Sequence, residues 1–76
     1  MRIYVTKDDI KKGESCHAGK CPIARSLKRR FPKTFVSVGP WGMMLRDAIL
    51  ELPMSVRHFI RKFDSQQKVN PFSFKL

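Results

Sequence analysis

The sequence predicts a small α+β domain, with an antiparallel or mixed sheet of about four or five short strands and two amphipathic helices packed on one face. Three observations lead there. Apolar residues recur at helical spacing over Pro22–Phe31 and again over Pro53–Asp64, and each run opens with a proline, which suits a first helical position. Short stretches rich in β-branched and aromatic residues, at Arg2–Val5, Thr34–Val38 and Phe72–Leu76, read as strands. Finally, 76 residues leave room for one domain, spanning 1–76, whose thin core removes only about 60–65% of the unfolded surface from water.

Taken in order, Arg2–Val5 is a strand with Ile3 and Val5 on one face. Thr6 caps a helical turn over Lys7–Lys12, and Asp9 three residues later completes a capping-box pattern. Ile10 is the inward residue of that turn, and Gly13 suits the left-handed position that ends it. Gly13–Lys20 is loop by composition. In Pro22–Phe31, Ile23, Ala24, Leu27 and Phe31 form the inner stripe. Arg25, Lys28 and Arg29 fall opposite, Arg30 lies near the boundary, and Pro32 stops the helix.

Thr34–Val38 follows as a strand, and Gly39-Pro40-Trp41-Gly42 as a turn. Met43–Arg46 and Ala48–Leu52 are either two further strands or one long strand kinked at Asp47. The second long helix buries Leu52, Val56, Phe59, Ile60 and Phe63, and turns Arg57, His58, Arg61 and Lys62 outward. Asp64–Asn70 is a polar loop. Phe72, Phe74 and Leu76 then share the apolar face of a terminal strand, and the regularly spaced Phe residues count as core.

Charge bears most directly on function. Sixteen Lys and Arg stand against six Asp and Glu, a net +10. The stretch Lys20–Lys33 carries Lys20, Arg25, Lys28, Arg29, Arg30 and Lys33 with no acidic residue among them. Like charge on so small a body destabilises it, and a polyanion relieves the repulsion. Phosphate backbone is therefore the leading partner, with Arg25, Lys28, Arg29 and Arg30 as principal contacts and Lys20 and Lys33 extending the patch. Arg57, Arg61 and Lys62 make a second basic site. No helix-turn-helix pattern is evident, so recognition is led by the backbone rather than by base edges.

Trp41, beside basic residues, is a candidate to stack on a base or to anchor a protein partner. Its bland alternative is to fold over the rim of the core, the reading given also to Tyr4. A second functional reading is an anti-defence inhibitor that binds an acidic host protein, anchored by Trp41 or Met43. A third is capture of a phosphorylated signal nucleotide. A thin core and a Phe-rich terminal strand also allow homo-oligomerisation.

Cys16, His17 and Cys21 place three metal-ligating side chains in one loop. Structural zinc sites offer paired ligands at both ends of a closed loop, and here the second pair is missing, since His58 faces outward. These residues read as a weak zinc candidate, a labile short-loop disulfide, or plain loop residues with Cys21 at a helix start. As a Cys–His nucleophile pair they lack an orienting third group. No paired carboxylates or phosphate-cradling glycine motif appear, so the chain reads as a binder rather than an enzyme, without cofactor. No apolar run approaches the ~20 residues of a membrane span, and no signal-peptide pattern is seen. The expectation is a cytoplasmic protein with reduced cysteines and no membrane partner.

The segments VTKDDIKKG (5–13), CPIARSLKRR (21–30), LPMSVRHFIRKFD (52–64) and PFSFKL (71–76) resemble small, poorly characterised proteins of bacteriophages and other mobile elements. The resemblance extends over nearly the whole chain. It implies a bacterial host cell, a compact α+β domain and an accessory role such as countering host defence, and it carries over no site residues.

Overall fold

A computed structural model of residues 1–76 divides the strands between two antiparallel sheets rather than one. β1 (Arg2–Val5) pairs with β5 (Phe72–Lys75), and β2 (Val36–Val38), β3 (Gly42–Leu45) and β4 (Ala48–Glu51) form a meander. Between them run α1 (Lys7–Lys12), α2 (Pro22–Arg30) and α3 (Met54–Asp64). The α+β class holds, with the strands split into a ribbon and a meander.

Side-chain matching explains the split. In the ribbon Ile3 lies opposite Phe74 and Val5 opposite Phe72, so both strands present their apolar residues to the same side. The Leu76 N–H donates to the Met1 carbonyl at 2.8 Å and closes the pair. Ile3, Val5 and Phe74 meet Ile23, Ala24 and Leu27 of α2, Val36, Val38 and Met43 of the meander, and Val56, Phe59 and Ile60 of α3 in one core. Phe59 and Phe72 approach to 4.8 Å between ring centroids and tie α3 to the ribbon. No helix is long and apolar enough to cross a membrane.

Of the two alternatives for Met43–Leu52 the structure has two separate strands: β3 and β4 are joined by Arg46-Asp47, with Arg46 in the left-handed region at φ 61°. Several other local expectations are revised. β2 is shorter than Thr34–Val38, and Phe35, read as core, is exposed. α2 ends at Arg30, with Phe31 as its C-cap, and Pro53 precedes the first residue of α3 as its N-cap. In the terminal strand Phe74 is buried and Phe72 half-buried, whereas Leu76 lies at the surface.

Gly13 is extended at φ −70°, ψ 153°, not left-handed. A Cβ there would lie 2.6 Å from the Asp9 carbonyl and 2.7 Å from Pro22 Cδ. Glycine is therefore required by the close approach of α1 to the start of α2. Within α1 the fully buried residue is Asp9, while Ile10 is only half-buried.

Candidate nucleic-acid interface

The basic surface begins with an acid. Thr6 and Asp9 form the capping box expected from their spacing: Thr6 Oγ1 accepts from the Asp9 N–H at 3.2 Å, and Asp9 Oδ2 accepts from the Thr6 N–H at 2.9 Å. The packing of α1 on α2 then carries this buried carboxylate to Arg29, whose Nη1 lies 2.7 Å from Oδ1 and Nη2 2.8 Å from Oδ2. The same Nη2 donates to the Tyr4 carbonyl, also at 2.8 Å. Arg25 Nε stands 3.6 Å from Asp9 Oδ1, and its Nη2 lies 3.5 Å from Asp8 Oδ2. Burial by itself would raise the Asp9 carboxyl, but the Arg29 hydrogen bonds, the Thr6 backbone and the Arg29 charge outweigh it and hold Asp9 below its ordinary value. The same hydrogen bonds, donated by Arg29 to Asp9, raise Arg29.

Two of the expected phosphate contacts thus have an internal task. Arg25 is half-buried, and the Arg29 guanidinium is engaged at both ends of its fork. Periodicity within α2 placed both correctly away from the core but could not reveal that α1 covers that side. Of the remaining cations in this stretch, Lys20 stands 3.8 Å from Glu14. Lys28 donates to the Gly19 carbonyl at 2.6 Å, Arg30 lies 5.6 Å over the Phe31 ring, and Lys33 projects from the following loop. Lys28, Arg30 and Lys33 are exposed and have no carboxylate partner.

On α3 the pattern differs. Arg57, expected outward, is half-buried: its Nε donates to the Leu52 carbonyl at 2.9 Å and its Nη2 lies 3.7 Å from Glu51. Arg61 and Lys62 are exposed with no carboxylate partner, and His58 is exposed beside them. Trp41 is tied to the segment that leads into this helix: its carbonyl accepts from the Leu52 N–H at 3.1 Å, two residues before α3 begins. The Gly39 N–H donates to the Gly42 carbonyl at 2.8 Å and closes the turn that holds it. At Gly42 a Cβ would stand 2.7 Å from the Leu50 carbonyl, so this corner tolerates no side chain.

Trp41 does not fold over the core: 74% of it is exposed. Together with Met54, Arg57 and Arg61 it lines a concavity of about 320 Å³, whose remaining walls include Ile60 and Asp64. The structure therefore joins the turn aromatic to the second basic site rather than to the Lys20–Lys33 run.

Other candidates settle differently. Met43 is buried in the core and cannot anchor a partner. Tyr4 stays exposed on the outer face of β1. Cys21 caps α2, its Sγ accepting from the Ala24 N–H at 3.4 Å, and burial pushes its thiol up, away from the thiolate that metal binding or nucleophilic attack requires. Cys16 is exposed, with its N–H on Asp64 Oδ1 at 2.9 Å, and His17 Nδ1 accepts from the Gly19 N–H at 3.2 Å. Both cysteines are free thiols, and the three side chains do not converge into a group able to hold a metal ion.

One surface escaped the sequence reading. The outer face of the meander carries Phe35, Met44 and Ile49, all exposed. The available signal was the lack of alternation in Met43-Met44-Leu45 and Ala48-Ile49-Leu50, apolar on both faces of their strands. Comparison with protein-family models, curated proteins and solved structures finds no match to this chain.

Proposed function

We propose that this protein is a small phage-type accessory protein that binds nucleic acid through its phosphate backbone. The observation that carries this reading is the distribution of unsatisfied charge. Eleven of the sixteen Lys and Arg side chains are exposed with no carboxylate within ion-pair distance. Asp8, Asp9, Glu14 and Glu51 pair with cations inside the fold, and the eleven unpaired cations far outnumber the two acids left over, so they call for anions from outside. Lys28, Arg30 and Lys33 on the α2 side and Arg61 and Lys62 on the α3 side are the contacts we assign. They supply charge and positioning, not base readout. The resemblance to phage and mobile-element proteins supports the setting.

Binding of nuclease-treated protein to single- and double-stranded DNA and RNA across a salt series tests this. With five phosphate contacts the slope of log affinity against log salt is about −3.5 to −4.5, set by about 0.7 to 0.9 per contact. Loss of all binding at physiological salt overturns the reading.

The exposed Phe35, Met44 and Ile49 favour a second reading, in which the protein binds an acidic host protein. β4 adds to it: Leu52 donates toward Trp41, so by alternation Leu50 faces β3 and the backbone groups of Ile49 and Glu51 point to open solvent. Enrichment of one acidic protein after nuclease treatment, lost in Ile49→Asp, decides for it.

A further inference from the structure

We infer that the concavity between Trp41 and Arg61 seats one unpaired base of a single-stranded nucleic acid, with a neighbouring phosphate on Arg61. This rests on the nucleic-acid reading and narrows it to a strand form. An indole is among the largest apolar groups a chain can leave in water, and here nothing in the fold covers it. The backbone that carries the ring is anchored: the Gly39–Gly42 and Trp41–Leu52 hydrogen bonds tie residue 41 into the meander. An aromatic side chain with two rotatable bonds on a fixed backbone gives up little conformational freedom when a base stacks on it.

The rest of the concavity suits a flat heterocycle. Met54 is exposed at its edge and offers a polarizable, adaptable wall, while Ile60 contributes an apolar floor. At about 320 Å³ the space sits at the small end of ligand sites and has room for a nucleobase. Arg57 is held in place by the Leu52 carbonyl, and Arg61 is uncommitted. Asp64 also lines the wall and repels phosphate, but its Oδ1 accepts from the Cys16 N–H. The phosphate therefore belongs at the Arg61 end and the base against Trp41. In duplex nucleic acid each base has both faces already stacked, so the seat selects single strands.

Trp41 is the only tryptophan in the chain, so fluorescence excited at the red edge of the absorption band, where Tyr4 absorbs little, reports on this ring. The experiment titrates the full-length protein with a short oligothymidylate and with a duplex of equal length at one salt concentration. We expect quenching by the single strand and not by the duplex. Trp41→Ala should weaken single-strand binding about tenfold, within the range of one lost base stack, and leave duplex binding unchanged. Trp41→Phe should retain most of the affinity. Tyr4→Ala, which removes another exposed aromatic on the outer face of β1, should change neither. Single-strand binding without quenching, or equal weakening of both forms by Trp41→Ala, overturns the seat and leaves the backbone reading standing. Failure of the wild type to bind either form overturns the backbone reading itself.

Discussion

α2 and α3 look alike in sequence, each amphipathic and each with a basic outer face, yet the fold commits their charges differently. On α2, Arg25 and Arg29 are turned to Asp8 and Asp9 of α1 and hold a buried carboxylate. On α3, only Arg57 reaches an acid, the fully exposed Glu51 at 3.7 Å, and Arg61 and Lys62 meet none. The difference comes from what packs alongside: α1 folds over α2 and brings acids with it, whereas α3 packs by its apolar face through Phe59 onto Phe72. Counting cations on a helix face therefore overstates a binding surface wherever a neighbouring element supplies the counter-charge.

The sharpest way to break this comparison is to remove the acid. Asp9→Ala removes the Asp9 half of the α1 capping box and leaves Arg29 Nη1, the Thr6 N–H and the already unbonded Arg25 Nε without an acceptor, while Thr6 Oγ1 still caps the helix and Arg29 Nη2 keeps the Tyr4 carbonyl. We expect a loss of about 3 kcal/mol in urea unfolding, at the low end of the range for breaking a buried pair because Arg29 is half-exposed. pH supplies the same test without mutation. Because Asp9 is held below its ordinary carboxyl value, its stabilisation is fully present above that ordinary value. It is lost as pH falls through the lower folded value, so the wild type should lose stability below about pH 4. In Asp9→Asn that part of the acid limb should flatten. A cost under about 1 kcal/mol for Asp9→Ala would mean that the α2 guanidiniums are not committed after all.

A charge-conserving exchange comes next in size. Arg29→Lys keeps the positive charge but loses the two-pronged grip on Asp9 and the bond to the Tyr4 carbonyl, at a cost of about 1–2 kcal/mol. Arg61→Lys, with no partner to lose, should leave the unfolding midpoint unchanged. Equal effects at the two sites would erase the distinction between the helices.

These contrasts mark where the sequence could be read and where it could not. The Thr6–Asp9 capping box was legible because both partners lie within one turn. So were the inner stripes of α2 and α3, which rest on spacing alone. The bond that Arg29 donates to Asp9 spans twenty residues and depends on how α1 crosses α2, which no local pattern encodes. The two-sheet arrangement was hidden for the same reason: β5 resembles any short alternating strand until Phe74 and Phe72 find Ile3 and Val5. The approach of Trp41 to Met54 and Arg61 across one concavity depends on how the meander sets the turn beside α3, also invisible to side-chain patterning.

Binding should separate the free cations from the committed ones on either helix. Each of Lys28→Ala, Arg30→Ala and Arg61→Ala should reduce the salt slope by about one unit while leaving the fold intact. Replacement of Arg25 should instead appear first in the unfolding midpoint, since its Nε and Nη2 already lie against Asp9 and Asp8. A slope change from Arg25→Ala at unaltered stability would return that residue to the interface.

The smallest effect tests how far the internal charge network reaches. Lys12 lies 3.4 Å from Asp8 one turn back, with both side chains more than half exposed. Such i,i+4 pairs contribute about 0.3–0.5 kcal/mol, and Asp8 keeps a second partner in Arg25 when Lys12 is removed. Lys12→Ala should therefore shift the urea midpoint by no more than a few tenths of a kcal/mol, and less at high salt. A cost above about 1 kcal/mol would show that the outer charges of α1 act together with Asp9. The stabilising core of this region would then be the whole α1–α2 charge layer, and Arg25 and Arg29 would be bound by more than a single buried carboxylate.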